Sequence, residues 1–119
     1  MDDNELRAYV LAKRGAEGGH PFGPTTFVVK VSGKMFALLS EDEDPPTISL
    51  KVDPDEGELL RDQHPSIIPG YHLNKRHWIT ATVDGSLPPD LLIDLVDDSY
   101  DLVVKSLTRA QRAALEGTV

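Results

Sequence analysis

The sequence predicts an α+β fold, a single-layer, mostly antiparallel sheet with helices packed on one face. Three observations carry this expectation. The β-branched and aromatic runs follow one another closely and are joined by short turn signals, as antiparallel neighbours are. One long stripe of leucines and valines at helical spacing sits near the C-terminus and needs an apolar surface to bury itself on. No strand, glycine-rich loop and helix occur in succession, so a parallel nucleotide-binding sheet is not expected.

Asp3 or Asn4 is placed to cap a first helix, along which Leu6, Tyr9, Val10 and Lys13 repeat before Gly15 stops it. Residues 15–24, "GAEGGHPFGP", hold four glycines and two prolines and read as a loop. Two strands follow at residues 25–31 and 34–40, joined as a hairpin by Ser32 and Gly33. "EDEDPP" is a charged connection, and "TISLKV" alternates Ile48, Leu50 and Val52 against Ser49 and Lys51 as a third strand. Asp53 followed by Pro54, with Asp55 and Glu56 in the first turn, starts a helix that carries Leu59 and Leu60 and ends near His64 and Pro65. Residues 65–77 read as a long loop. "WITATV" is a fourth strand inside the sheet, with Trp78 mostly buried, and Asp84-Gly85 turns it. Pro88 and Pro89 open the longest helix, whose stripe runs through Leu91, Leu92, Leu95, Val96, Ser99, Leu102, Val103 and Leu107, with the aspartates largely outside it. Thr108 and Gln111 match a capping box for a last short helix.

The 119 residues suit one domain, 1–119, and the 39% apolar and 27% charged fractions are those of a folded soluble chain. No apolar run approaches the ~18 to 20 residues of a membrane span, and the N-terminus lacks the basic start and apolar stretch of a signal peptide. A cytoplasmic address is therefore expected, with no membrane partner. The absence of cysteine excludes disulfides, thiol nucleophiles and thiolate metal sites. The net charge of −8 repels nucleic acid and anionic membrane at long range. That charge is segregated, however. Residues 40–58 hold eight carboxylates and one lysine, whereas residues 63–83 hold no carboxylate at all.

No enzyme is expected, since "GxSxG", "HExxH" and "GxxxxGK[ST]" are all missing, and no cofactor is implied. A metal site is not expected either. His72 and His77 lie five apart and flank Lys75 and Arg76, whose charge disfavours a cation, and the acidic loop from Glu41 to Asp44 reads as solvated. The richest segment is "YHLNKRHW", which joins two cations, two histidines, an asparagine, a tyrosine and the only tryptophan. As an anion site, Arg76 grips a phosphate with paired donors, Lys75 adds charge, Asn74, His72 and His77 add neutral donors, and Tyr71 or Trp78 offers a stacking face. A structural alternative stands beside it: Trp78 belongs to the core, while Lys75 and Arg76 pair with Asp62 or Asp84. On either account these two cations lie on the surface or are paired. The expectation is a positive patch with His72 and Lys51 nearby.

"SLK" (Ser49 to Lys51), "ELLRDQH" (Glu58 to His64), "PGYHLNKRHW" (Pro69 to Trp78), "DGSLP" (Asp84 to Pro88) and "LVDDSYDLVV" (Leu95 to Val104), in this order and spacing, resemble the MmcQ/YjbR family. The likeness spans nearly the whole chain, and "HLNKRHW" is its most specific piece. It implies a CyaY-like, frataxin-like α+β fold and DNA binding through a double-wing arrangement of β-hairpins. Carried onto this chain, the nucleic-acid or anion site comprises Lys51, His72, Asn74, Lys75, Arg76 and His77. With so few cations, any DNA contact is expected to be weak and salt-sensitive. The alternative is a non-enzymatic module for a nucleotide, a phosphorylated metabolite or an acidic protein partner. A third reading is a frataxin-like acidic metal binder using Asp2, Asp3, Glu5 and the loop from Glu41 to Asp44.

Overall fold

The computed structural model describes residues 1–71 and 73–117. Among these the chain runs α1 (Asp3–Leu11), β1 (Ala16–Gly19), β2 (Thr26–Val31), β3 (Lys34–Ser40), β4 (Thr47–Lys51), α2 (Pro54–Gln63), β5 (Ile67–Pro69), β6 (Trp78–Thr82), α3 (Pro89–Ser106) and α4 (Arg109–Glu116). The strands form an open antiparallel sheet ordered β1-β2-β3-β4-β6-β5, so the expected α+β architecture is present. Among the described residues, no helix is long and apolar enough to cross a membrane.

Local chemistry explains most boundaries. Ser32 and Gly33 both adopt positive φ, 50° and 80°, the left-handed pair of a two-residue hairpin turn. Asp53 caps α2 by accepting from the amides of Asp55 and Glu56, with Pro54 at the first helical position. Thr108 and Gln111 close their capping box reciprocally. The first helix is capped differently from expectation. Asp2, not Asp3 or Asn4, accepts from the Glu5 amide at 2.8 Å, because only Asp2 stands in extended backbone with Glu5 three residues on.

Both edge strands, β1 and β5, fall in segments whose glycines and prolines read as loops. An edge strand bonds on one side only, so Pro69 is tolerated in β5. In β1, Gly18 is a packing residue. A Cβ there would lie 2.2 Å from the Phe27 ring, so glycine is what lets β1 close against β2.

Strand alternation places Phe27, Val29, Val31, Ala37, Leu39, Ile48, Leu50, Ile79 and Ala81 in one apolar cluster with residues of all four helices. The helices gather on that face: α3 lies across β2, β3 and β4, α2 against β5 and β6, and α1 against β1 and α3. Burying Leu92, Leu95, Val96 and Val103, with Leu107 just past its end, at roughly 1.5–3 kcal/mol each makes α3 the main apolar helix. Trp78 is half-buried at the start of β6, which lies between β4 and β5 inside the sheet.

One polar residue interrupts the stripe. The register between β2 and β3 pairs Val29 with Ala37 and then Lys30 with Met35, skipping Phe36. The β3–β4 ladder also stops at Ala37 and Leu50. The wholly buried Ser99 of α3 fills this gap. Its hydroxyl donates to the Phe36 carbonyl at 2.6 Å and accepts from the Lys51 amide at 2.9 Å. A second polar clamp joins α1 to α3, with Tyr9 donating to Asp97 at 2.6 Å and Lys13 pairing with the same carboxylate. Tyr100 adds a bond to the Arg14 carbonyl.

Ser99→Ala should orphan two backbone groups in the core and lower unfolding free energy by about 2–4 kcal/mol, measured by urea titration. The neighbouring aspartates should respond to pH with opposite signs. Burial opposes ionisation of Asp97, but the hydrogen bonds from Lys13 and Tyr9 and the charge of Lys13 outweigh it, so its carboxyl is held below the usual range. Its stabilisation is therefore present above an unfolded value of about 3.9 and is lost as pH falls through the lower folded value. Asp98 is pushed up by burial and then by Asp94, Asp101 and Asp97, so its ionised form costs stability at neutral pH and that cost disappears on acidification. Asp97→Asn should lower the melting temperature at pH 7 and Asp98→Asn should raise it; in melts across the acid range the Asp98 difference should fade as pH falls toward about 4, and the Asp97 difference only as pH falls below about 4.

Candidate functional site

The segment between β5 and β6 is shaped by its own backbone. The Gly70 amide donates to the Trp78 carbonyl at 2.8 Å, which brings the two ends of the loop together. A Cβ at residue 70 would sit 2.6 Å from the Trp78 Cβ and 3.1 Å from its carbonyl oxygen, so this close approach requires glycine. Tyr71 is tied down by its amide, which donates to the Thr80 hydroxyl at 3.0 Å. The Asn74 side-chain oxygen accepts from the amides of Arg76 at 2.9 Å and His77 at 3.2 Å, an Asx-type turn that lifts residues 75 and 76 outward. The Val52 amide then donates to the His77 carbonyl at 2.9 Å and anchors the loop's far end to the strand that carries Lys51.

Five of the six expected site residues come to one end of the sheet. Asn74, Lys75, Arg76 and His77 are exposed on the loop, and half-exposed Lys51 stands in register with Trp78, next to His77 in the chain. His72 lies outside the described residues. Asn74 spends its oxygen on the turn and keeps its amide nitrogen for any ligand. Among the described residues, neither Lys75 nor Arg76 enters an ion pair with Asp62, Asp84 or any other carboxylate. Lys75 instead donates to the Gly70 carbonyl at 3.2 Å. Asp84 is engaged elsewhere: hydrogen bonds from the Ser86 side chain and amide hold its carboxyl below the usual range.

Three of the seven carboxylates of the third reading are engaged elsewhere. Asp2 and Glu5 form the α1 capping box, and Glu41 pairs with Arg7 at 3.6 Å and lies 2.7 Å from the His20 ring. Among the described residues, no three His, Asp or Glu side chains are grouped to hold a metal ion.

The sheet face opposite the helices is a feature that sequence alternation identified only as polar. Its strand positions include Thr26, Ser40, Thr47, Ser49, Thr80 and Thr82, and they line a groove. The signal was present in the sequence. The non-core positions of "TISLK" and "WITAT" are mainly small hydroxyls rather than the charged residues of a solvated face.

Comparison with known proteins places this arrangement in a group. The family model described as YjbR matches residues 11–102. The Escherichia coli protein YjbR is 42% identical over 115 residues, 97% of this chain and 98% of its own length. The Escherichia coli protein YbdF is 46% identical over 89 residues, 75% of this chain and 73% of its own. Among solved structures, Deinococcus radiodurans DR2400, with a DUF419 domain, superposes with a TM-score of 0.91 at 44% identity, covering 97% of this chain and 88% of that one. A Pseudomonas syringae protein gives 0.75 at 31% identity, covering 86% of this chain and 98% of that one.

The turn at Asn74 is testable. Asn74→Ala should remove both acceptor bonds and cost about 1–2 kcal/mol in thermal or urea unfolding, while Asn74→Asp, which keeps an acceptor there, should melt close to wild type.

Proposed function

This chain belongs to the YjbR family, and we propose that it acts as a non-enzymatic binding protein whose 73–77 loop, with Lys51, holds the phosphates of DNA weakly. One observation carries the reading. Lys75 and Arg76 stand side by side, exposed and without a carboxylate partner among the described residues, on a loop whose shape Gly70 and Asn74 fix in advance. A preorganised pair of cations loses little freedom when an anion arrives, and Arg76 adds two-point geometry. His77 and the Asn74 amide group supply further donors, and His72 belongs to the same proposed set. The reading takes residues 1–119 as one domain and the cytoplasm as its place of action, where DNA is met.

The net charge of −8 sets the strength. Long-range repulsion opposes a duplex, so the contact is short and local. Three cations meeting three phosphates give a log–log salt slope of roughly −2.7, about a 40-fold loss of affinity between 50 and 200 mM salt.

Fluorescence anisotropy with a short labelled duplex should show this slope, and Lys75→Ala combined with Arg76→Ala should reduce it to about −0.9 with an unchanged melting temperature. A wild type that binds mononucleotides or an acidic peptide but no duplex would transfer the same residues to the alternative ligand class. A double variant that melts much earlier, beside a wild type that binds none of these, would make the patch structural.

A further inference from the structure

The helix-free face of the sheet is walled on two sides. Phe22, in the connection from β1 to β2, stands 65% exposed on one, and Tyr71 stands 59% exposed on the other. Between them runs a groove of about 770 Å³, within the range that holds small organic molecules. Its floor is the pair Ser49 and Thr80, cross-strand neighbours only 7% and 5% exposed, whose hydroxyls lie 2.8 Å apart. The Tyr71 amide already donates to the Thr80 oxygen. Two hydroxyls bring two hydrogens, and one lies between them whichever way that bond runs. Among the described residues the other has no acceptor, so a buried donor is left facing the groove.

The charge of the groove is one-sided. Asp42 and Glu43 line one end, and among the described residues no lysine or arginine lines any part of it. Unlike Glu41, neither carboxylate enters an ion pair among the described residues. An anion lying here would meet two carboxylates, so this is not an extension of the basic loop.

We propose that the groove is a separate small-molecule site for a hydroxylated arylalkylamine, its ring in the groove that Phe22 and Tyr71 border, its oxygen on the Ser49–Thr80 floor and its ammonium at Asp42 and Glu43. A ring in this position covers apolar surface of the groove, the floor supplies one directed hydrogen bond, and the carboxylates select positive charge.

Tyramine is the probe, with 4-ethylphenol as its neutral analogue and 4-hydroxyphenylacetate as the anionic one, each titrated to about 10 mM against the full chain by amide NMR. Tyramine should give saturable shifts at the amides of Ser49, Tyr71 and Thr80, with 4-ethylphenol about fivefold weaker and the anion weaker still. Asp42→Asn with Glu43→Gln, on an exposed connection, should bring tyramine down to the level of 4-ethylphenol. Phe22→Ala, also at the surface, should weaken both ligands with the melting temperature unchanged. The proposal is overturned if the three compounds bind alike, if none saturates, if shifts are confined to residues 74–77, if the carboxylate variant leaves tyramine affinity unchanged, or if the groove amides shift on dilution of the protein alone, which would mean that a second copy covers this face. None of these variants touches Lys75 or Arg76, so DNA binding succeeds or fails independently.

Discussion

The Ser99 hydroxyl sits where the skipped register at Phe36 leaves a carbonyl and an amide without strand partners, and the placement of α3 follows from those two bonds. Apolar packing fixes which face of a helix is buried but tolerates sliding along the sheet, since leucine against valine is much the same one notch over. A buried hydroxyl bonded on both sides has no such tolerance. With α3 set, Asp97 falls where Tyr9 of α1 and Lys13 just beyond that helix reach it, and Tyr100 falls beside the Arg14 carbonyl. The N-terminal segment is thus located by polar contacts that are themselves located by Ser99.

Confining the helices to one face leaves two regions of different chemistry on the rest of the molecule. The loop before β6 concentrates positive charge through backbone constraint: Gly70 allows the approach, Asn74 turns the chain, and the cations are left outside. The open face concentrates hydroxyls and aromatic edges, with carboxylates at one end. The same loop supplies Tyr71 to the second region, so one connection borders both. That dual duty accounts for the density of unusual residues in "YHLNKRHW" better than an anion site alone, since several of them are spent on making the loop.

Much of the scaffold was legible in the sequence because its signals are local. The Asp53–Pro54 start, the Ser32–Gly33 turn, the Thr108–Gln111 box and the α3 stripe each need only neighbours in the chain. What escaped depends on partners distant in sequence. Gly18 reads as a loop residue until the Phe27 ring is seen above it, and β5 is too short and too proline-flanked to announce itself without β6 alongside. The loop cations were legible as exposed, whereas the use of the Asn74 oxygen by two amides was not, because an Asx turn and a ligand-facing amide have the same one-residue signature. The groove was missed for another reason. Alternation shows which strand positions avoid the core, and says nothing of which loop residues border them.

The brevity of the two outer strands bears on how this protein behaves among its own copies. A sheet with free margins is a template on which further chains can add by hydrogen bonding. Here β1 offers four residues, two of them glycines, and β5 offers three, ending in a proline with no amide hydrogen to give. Neither margin presents enough evenly spaced donors and acceptors to seed a continuing ladder. An open, unclosed sheet can therefore remain self-limiting without a barrel's closure, which leaves its broad uncovered face free to evolve as a surface for ligands.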